Sequence, residues 1–178
     1  MSTVGTAPVA RALARATAGR DVERLLAHPD VRRSGWTVEY DGDVLVTVTL
    51  PARGADYAAG QTDKYVLILD CDSYDVWPPE TRFVDPNTRT YVVGQSISAL
   101  PSIANFPQPL GIHPAFSNFY DRGRMDQLVC FSFTRGYYDS SHQPQAHERW
   151  VQGRHWLYST VRYLYRALQP PYYQGRRG

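Results

Sequence analysis

One thiol and two imidazoles in the second half of the sequence could do chemistry together. Cys130 is followed by His142 and His147, in a stretch that leads into a predicted helix. The thiolate is the nucleophilic form of cysteine, and a neighbouring imidazole lowers the thiol pKa or takes a proton from an attacking amine. The amino end of a helix adds a modest positive potential. The pattern therefore predicts a nucleophilic Cys130 that is assisted by His142 or His147.

Two other interpretations fit the same residues. A free cysteine packs as a small hydrophobe, so Cys130 could instead be buried and inert on a strand. We assign that structural role to Cys71, which ends a strongly apolar run. A third interpretation builds a tetrahedral zinc site from one thiol and three imidazoles, although the spacing fits no compact zinc motif. Its ligands would be His113, Cys130, His142 and His147.

Composition narrows the remaining classes of function. The 178 residues carry a net charge of +2, which is too small for an electrostatic footprint on nucleic acid. Two cysteines and the lack of a long apolar run predict a cytoplasmic protein without a membrane partner. The sequence has no glycine-rich phosphate loop, serine nucleophile elbow or paired catalytic carboxylates, and we expect no cofactor.

A buried strand organises the elements that must position these side chains. Tyr65–Leu69 is an apolar run typical of a strand that is buried on both faces. Two prolines in Tyr74–Pro79 remove backbone donors, so this segment is predicted to cross the surface as a stiff bridge before a strand over Thr81–Val84. Trp36–Leu50 alternates apolar and polar residues around an Asp41-Gly42 turn, which predicts a hairpin.

The sequence also predicts helices at both ends of the chain. Residues 1–20 are predicted to be a flexible arm or a weak helix that breaks at Gly19. A single domain over residues 21–178 then begins with a short helix capped by Asp21. Apolar residues at helical spacing predict a long helix over Gln143–Leu168, which would span about 35–40 Å.

Residues 87–112 interrupt this pattern. Their prolines at positions 101, 107 and 109 disfavour a regular element, and the stretch from Leu100 to Leu110 is predicted to be irregular. A loop of this length in a small domain is usually functional or disordered. We therefore expect an insertion that forms a partner surface rather than a part of the core.

The segment between the last two predicted strands resembles a motif of the ubiquitin-conjugating (E2) family. That family carries Tyr-Pro-x-x-Pro-Pro-x-x-x-Phe between its third and fourth strands. The matching residues here are Tyr74, Pro78, Pro79 and Phe83, with Asp75 in place of the first proline. The resemblance implies an α+β, UBC-like fold: a four-stranded antiparallel meander flanked by an N-terminal helix and a long C-terminal helix.

A second, looser match covers the candidate nucleophile. His113 and Pro114 match the start of the family's His-Pro-Asn element, and Cys130 after Leu128-Val129 matches the cysteine that carries ubiquitin as a thioester. Ala115 stands where the family has the asparagine that supports the oxyanion, and Asn118 is the nearest amide that could replace it. From its position before a proline we interpret His113 as an organiser of the turn.

The resemblance also implies partners and an activity. An E2-like protein of the divergent prokaryotic type would receive a ubiquitin-like modifier from an E1-like adenylating enzyme and pass it from Cys130 to an amine. Such relatives often occur beside a JAB-type metalloprotease that removes the modifier. The alternative on the same fold is a non-catalytic scaffold of the RWD type, which binds partners without forming a thioester.

Overall fold

A computed structural model of the protein describes residues 8–117, 123, 125–140 and 142–178. The class is α+β, as predicted. In chain order the elements are α1 Pro8–Ala27, α2 Pro29–Arg33, β1 Thr37–Tyr40, β2 Leu45–Ala52, β3 Asp63–Asp70, β4 Glu80–Val84, a 3₁₀ turn Ile97–Ala99, β5 Pro101–Ile103, β6 Gly111–Ser117, β7 Met125–Cys130, α3 Arg135–Asp139, α4 Leu157–Ala167 and β8 Tyr173–Arg176.

The predicted four-stranded antiparallel meander is confirmed. Its strands follow the order β1-β2-β3-β4, so every neighbour in space is also a neighbour in sequence. Leu67 at the centre of β3 is opposite Val48 of β2 and Phe83 of β4. The hairpin turn is closed by Asp41, whose Oδ1 accepts hydrogen bonds from the backbone N–H groups of Asp43 and Leu45. Two smaller antiparallel pairs, β5 with β8 and β6 with β7, complete the strands.

The main core lies between this sheet and the helices α1 and α4. Leu25 of α1, Leu164 of α4 and Leu67 of β3 have no exposed surface and belong to one continuous apolar cluster. Burial of one such side chain contributes about 1.5–3 kcal/mol to folding. The cluster therefore fixes both helices against one face of the sheet.

The first helix differs from its prediction. It is continuous from Pro8 to Ala27, so the expected break at Gly19 and the expected helix start at Asp21 are both wrong. Packing explains the difference, because Ala18, Val22 and Leu25 around Gly19 are buried in the core and tertiary packing of this kind outweighs the low helix propensity of one glycine. Asp21 is a buried carboxylate inside the helix rather than its cap.

The last long helix is much shorter than predicted. Only Leu157–Ala167 is helical, and residues 142–156 form turns and irregular backbone. Asp75 explains this difference: its Oδ2 accepts a hydrogen bond from Gly153 N at 3.0 Å, and its backbone carbonyl accepts one from Trp150 Nε1 at 2.8 Å. Gly153 also has a φ of +74°, which a right-handed helix does not allow. These contacts compete successfully with helix propensity.

The predicted insertion is only partly a surface loop. Leu100 has no exposed surface and packs into the core, whereas Asn87 to Thr90 are exposed. The short strand β5 begins at Pro101, inside the stretch that was predicted to be irregular, and it pairs with β8. The expectation that this region lies outside the core is therefore wrong for Ala99–Pro101 and for Ile112, which are buried, whereas residues 104–110 form an irregular surface segment.

Among the residues described, no helix combines the length and the apolar character needed to cross a membrane.

Candidate functional site

The candidate nucleophile lies at the end of a strand that is tied to the main sheet. In the β6–β7 hairpin, Cys130 is opposite Gly111 and Leu128 is opposite His113. The side-chain amide of Gln127 accepts a hydrogen bond from Phe83 N at 2.7 Å and donates one to Phe83 O at 2.8 Å. Because these bonds join β7 to β4, the position of Cys130 is set by regular structure rather than by a free loop.

The thiol of Cys130 contacts His142, one of the two histidines predicted to assist it. Its Sγ lies 3.6 Å from Nδ1 of His142, within the range of a sulfur hydrogen bond. The His142 ring stacks on Tyr137 with ring centroids 4.9 Å apart and planes inclined by 22°. The backbone N–H of His142 also donates to Tyr137 O at 3.4 Å. Tyr137 therefore holds the imidazole beside the sulfur.

A serine that the sequence analysis did not single out completes this cluster. Ser140 Oγ lies 2.8 Å from Nδ1 of His142 and 3.0 Å from the carbonyl oxygen of Tyr137, to which it donates. Ser140 follows α3 as its C-terminal cap. The only signal in the sequence was the position of a hydroxyl two residues before a histidine, which is too common to predict a site.

Two opposing effects act on the Cys130 thiol. Burial leaves the residue only 8% exposed and raises its pKa, and this is the larger effect. A hydrogen bond from Ser140 to the thiolate lowers the pKa. The net direction is upward, so the resting cysteine is a protonated thiol at neutral pH.

His113 packs over Gly111, the residue opposite Cys130. A Cβ atom on Gly111 would be 2.7 Å from Nε2 of His113 and 3.4 Å from Cβ of Cys130, so the imidazole occupies space that only a glycine leaves open. The strand pairing is irregular between His113 and Phe116, around Pro114. His113 lies in β6 and is exposed rather than buried as the organiser of a turn.

His147 and Asn118 do not join this cluster. His147 is exposed and lines a separate cavity of about 570 Å³, together with Glu148 and Arg162. Within the described part of the chain, the histidine that contacts the thiol is His142. Asn118 lies outside the described residues, so its predicted role stays a prediction.

The residues of the proline motif connect the helices to the sheet. The hydroxyl of Tyr74 donates to Asp21 Oδ2 at 2.5 Å and accepts a hydrogen bond from Leu157 N at 3.0 Å, which links α1 to α4. The carbonyl of Pro79 accepts a hydrogen bond from Arg135 N at 3.1 Å. Because Arg135 begins α3, the bridge also positions the helix that leads to the thiol cluster.

The other two motif residues are buried. Pro78 is covered where the bridge meets β4, and Phe83 has no exposed surface. The Phe83 ring meets Tyr65 edge to face, with centroids 5.7 Å apart. Both residues therefore serve packing.

The zinc interpretation finds no support in the described residues. In these parts of the chain no group of three or more His, Cys, Asp or Glu side chains is arranged to hold a metal ion. Cys130 and His142 alone provide fewer donors than a structural zinc site needs.

No protein-family model matches this chain, and none of the curated proteins matches it significantly.

Proposed function

We propose that the protein is an E2-like conjugating enzyme with a UBC-like fold, in which Cys130 carries a ubiquitin-like modifier as a thioester. The observation that carries the proposal is the contact between Cys130 Sγ and His142 Nδ1 at the end of β7. A thiol paired with an imidazole that is itself held by a third residue is the arrangement of an activated nucleophile. Tyr137 is that third residue.

The order of the elements supports the same proposal. A helix precedes a four-stranded meander, a double-proline bridge joins β3 to β4, and the cysteine follows before α4. The E2 motif residues Tyr74 and Pro79 have contacts in this structure that join the sheet to α1, α4 and α3. These residues are therefore structural, and the chemistry rests on Cys130 and His142.

The proposed reaction has two acyl transfers. The Cys130 thiolate attacks the carbonyl carbon of a modifier that is held as a thioester on an E1-like enzyme, and the departing thiolate of that enzyme takes up a proton. An amine then attacks the new thioester, the carbon–sulfur bond breaks and Cys130 leaves as a thiolate. His142 accepts the proton that the amine loses. Positioning supplies most of the remaining acceleration.

The experiment uses an E1-like enzyme with its modifier and ATP, and in parallel a glycine-terminated peptide thioester that needs no activating enzyme. Both should give an adduct on Cys130 that thiols reverse. Cys130→Ala should abolish the adduct, and Cys71→Ala should leave it unchanged because Cys71 is fully buried. An adduct that persists in Cys130→Ala would refute the proposal. A JAB-type metalloprotease would be tested later, as the enzyme that reverses the modification.

One observation favours a second candidate, a non-catalytic scaffold of the RWD type. Cys130 is only 8% exposed, and burial raises its pKa. A scaffold would keep such a thiol inert, whereas a conjugating enzyme must uncover it when its partner binds. The peptide thioester separates the two candidates, because a scaffold would form no adduct at any pH between 6 and 9, about the range in which the fold is expected to persist.

A further inference from the structure

The Ser140 hydroxyl lies among three groups that can accept its proton. Tyr137 O is 3.0 Å from Oγ and His142 Nδ1 is 2.8 Å from Oγ. The third group is Cys130 Sγ, which lies 3.6 Å from the same His142 Nδ1 and whose thiolate form would be favoured by a hydrogen bond from Ser140. A hydroxyl has one proton to donate and two lone pairs that accept. It can therefore donate its hydrogen bond to only one of these groups at a time.

Because the Ser140 hydroxyl has a single proton, it determines which ring nitrogen of His142 is protonated when Cys130 is a neutral thiol. The hydroxyl donates to Tyr137 O, so its contact with His142 Nδ1 is a hydrogen bond only if Nδ1 carries the proton. Cys130 Sγ lies 3.6 Å from the same nitrogen. The opposite nitrogen, Nε2, is then unprotonated and free to accept a proton.

We propose that Ser140 is a positioning residue of the thiol site, whose hydroxyl holds His142 in the Nδ1–H form and turns to the Cys130 sulfur when that sulfur becomes negative. The inference rests on the proposed function, since it assigns a part in that acyl transfer. On ionisation the thiolate gains two donors, Oγ–H of Ser140 and Nδ1–H of His142. Tyr137 O keeps a hydrogen bond from the His142 backbone N–H.

The same arrangement assigns the proton of the incoming amine. His142 lines a cavity of about 460 Å³ together with Trp77 and Arg149, so its ring borders space that an amine could enter. When an amine attacks the thioester, its nitrogen forms the new bond to carbon and Cys130 leaves with the electron pair of the carbon–sulfur bond. The displaced proton goes to Nε2, and His142 becomes an imidazolium beside the thiolate that it stabilises.

Few other groups can titrate in the same place. Tyr137 stacks on His142, and burial raises its pKa. His113 lies across the space above Gly111. On α3, Arg135 Nε and Asp139 Oδ1 pair with each other at 3.0 Å. Glu80, whose pKa burial raises to about 7, lines a cavity with Ser140 and Asp139 but is unchanged in every serine variant. A difference in thiol titration between Ser140→Ala and a serine control therefore reports on the hydroxyl and His142.

The test measures the rate of Cys130 alkylation by iodoacetamide as a function of pH. The variants are Ser140→Ala, Ser140→Thr, which keeps a hydroxyl, and Ser132→Ala as a serine control near the thiol. We expect Ser140→Ala to raise the thiol pKa by about one unit and to slow alkylation near neutral pH about tenfold. Ser140→Thr should restore most of the rate, and Ser132→Ala should match the original protein.

A second readout addresses the tautomer directly. The ¹⁵N chemical shifts of the His142 ring should show a proton on Nδ1 in the original protein and a redistribution towards Nε2 in Ser140→Ala. Equal alkylation profiles for Ser140→Ala and Ser132→Ala, or a proton on Nε2 in the original protein, would overturn the inference. Neither measurement needs the modifier, so a failure of acyl transfer to Cys130 would count against the proposed function alone.

Discussion

The reactivity of Cys130 depends on the balance between burial and hydrogen bonding at a single sulfur atom. Burial disfavours the thiolate, and donors from Ser140 and His142 favour it. In a protein that forms a thioester, burial protects the resting thiol, and the hydrogen-bond donors stabilise the thiolate when it forms. The geometry of three side chains therefore decides between a reactive and an inert cysteine.

At the scale of residues, His142→Ala should slow alkylation of Cys130 about tenfold near neutral pH, because the thiolate loses its contact with Nδ1. His147→Ala should leave the rate unchanged, since that side chain lines a different cavity. Iodoacetamide rates followed by peptide mapping check both expectations. Equal rates for the two variants would show that the observed contact does not affect the thiol.

Part of this site could be predicted from the sequence. The pairing of Cys130 with a downstream histidine was predictable from residue types, and His142 is the histidine that occupies that position. His147 was not separable from His142, because the predicted helix would have placed either ring near the sulfur. Ser140 was not predictable, since the partners of a hydroxyl depend on where α3 ends in space.

At the scale of elements, the strands of the four-stranded meander were predictable and the helix boundaries were not. The apolar residues of Tyr65–Leu69 predict a buried strand, and the Asp41-Gly42 turn predicts a hairpin, so both can be recognised from local sequence. The boundaries of α1 and α4 depend on distant groups. Burial of Ala18 and Val22 in the core keeps α1 continuous through Gly19. A hydrogen bond to Asp75 holds the residues before α4 out of a helix.

This difference predicts that Asp75 stabilises the irregular segment before α4. Asp75→Ala removes the acceptors of Gly153 N and Gln152 Nε2, so we expect a loss of about 1–2 kcal/mol in the free energy of unfolding. Amide hydrogen exchange should become faster in residues 150–155. Urea unfolding and exchange measurements check the result, with the exposed Asp56→Ala as the control. Identical exchange in both variants would contradict this account.

At the scale of the whole molecule, a buried carboxyl at the start of β4 links stability to pH. Burial raises the pKa of Glu80 from 4.5 to about 7, while the nearby Arg82 acts in the opposite direction. The folded state therefore holds a proton that the unfolded state releases at lower pH. The associated stability is present below pH 4.5 and is lost as the pH rises through about 7.

Glu80→Gln should remove this pH dependence. A shift of this size corresponds to about 3 kcal/mol of unfolding free energy, so above neutral pH the variant should be more stable than the original protein by up to that amount. Thermal unfolding between about pH 5 and pH 9 measures the effect. Glu23→Gln, at an exposed position, is the control. The same dependence of thermal stability on pH in both variants would contradict the prediction.

The C-terminal strand should also contribute to global stability. The hydroxyl of Tyr173 donates to Asp63 Oδ2 at 2.5 Å and lies 2.8 Å from the hydroxyl of Tyr65, so β8 and β3 share one hydrogen-bond network. Tyr173→Phe removes the partner of the Tyr65 hydroxyl and one of the two hydroxyl donors to Asp63 Oδ2, the other being Tyr57, and should cost about 1–3 kcal/mol. Tyr172→Phe is the matched control. In chemical denaturation the midpoint of Tyr173→Phe should be clearly lower than that of Tyr172→Phe. Equal midpoints would show that the network does not contribute to stability.

The pairing of β5 with β8 shows what the sequence could not reveal at this scale. The strand Pro101–Ile103 is short and begins with a proline, so its own residues predict no strand. It exists because Tyr173–Arg176 returns from the end of the chain to pair with it. Contacts between such distant segments have no local signal.

The amide of Gln127 has one more consequence, for the behaviour of the protein at high concentration. The last strand of a sheet offers backbone donors and acceptors on which another chain can extend the sheet. In β4, Phe83 N and Phe83 O are occupied by a single side chain that imitates the backbone of a neighbouring strand. Replacement of that amide would leave these two backbone groups of β4 open to pairing with another strand. The two bonds that locate the thiol therefore also protect this edge of the sheet.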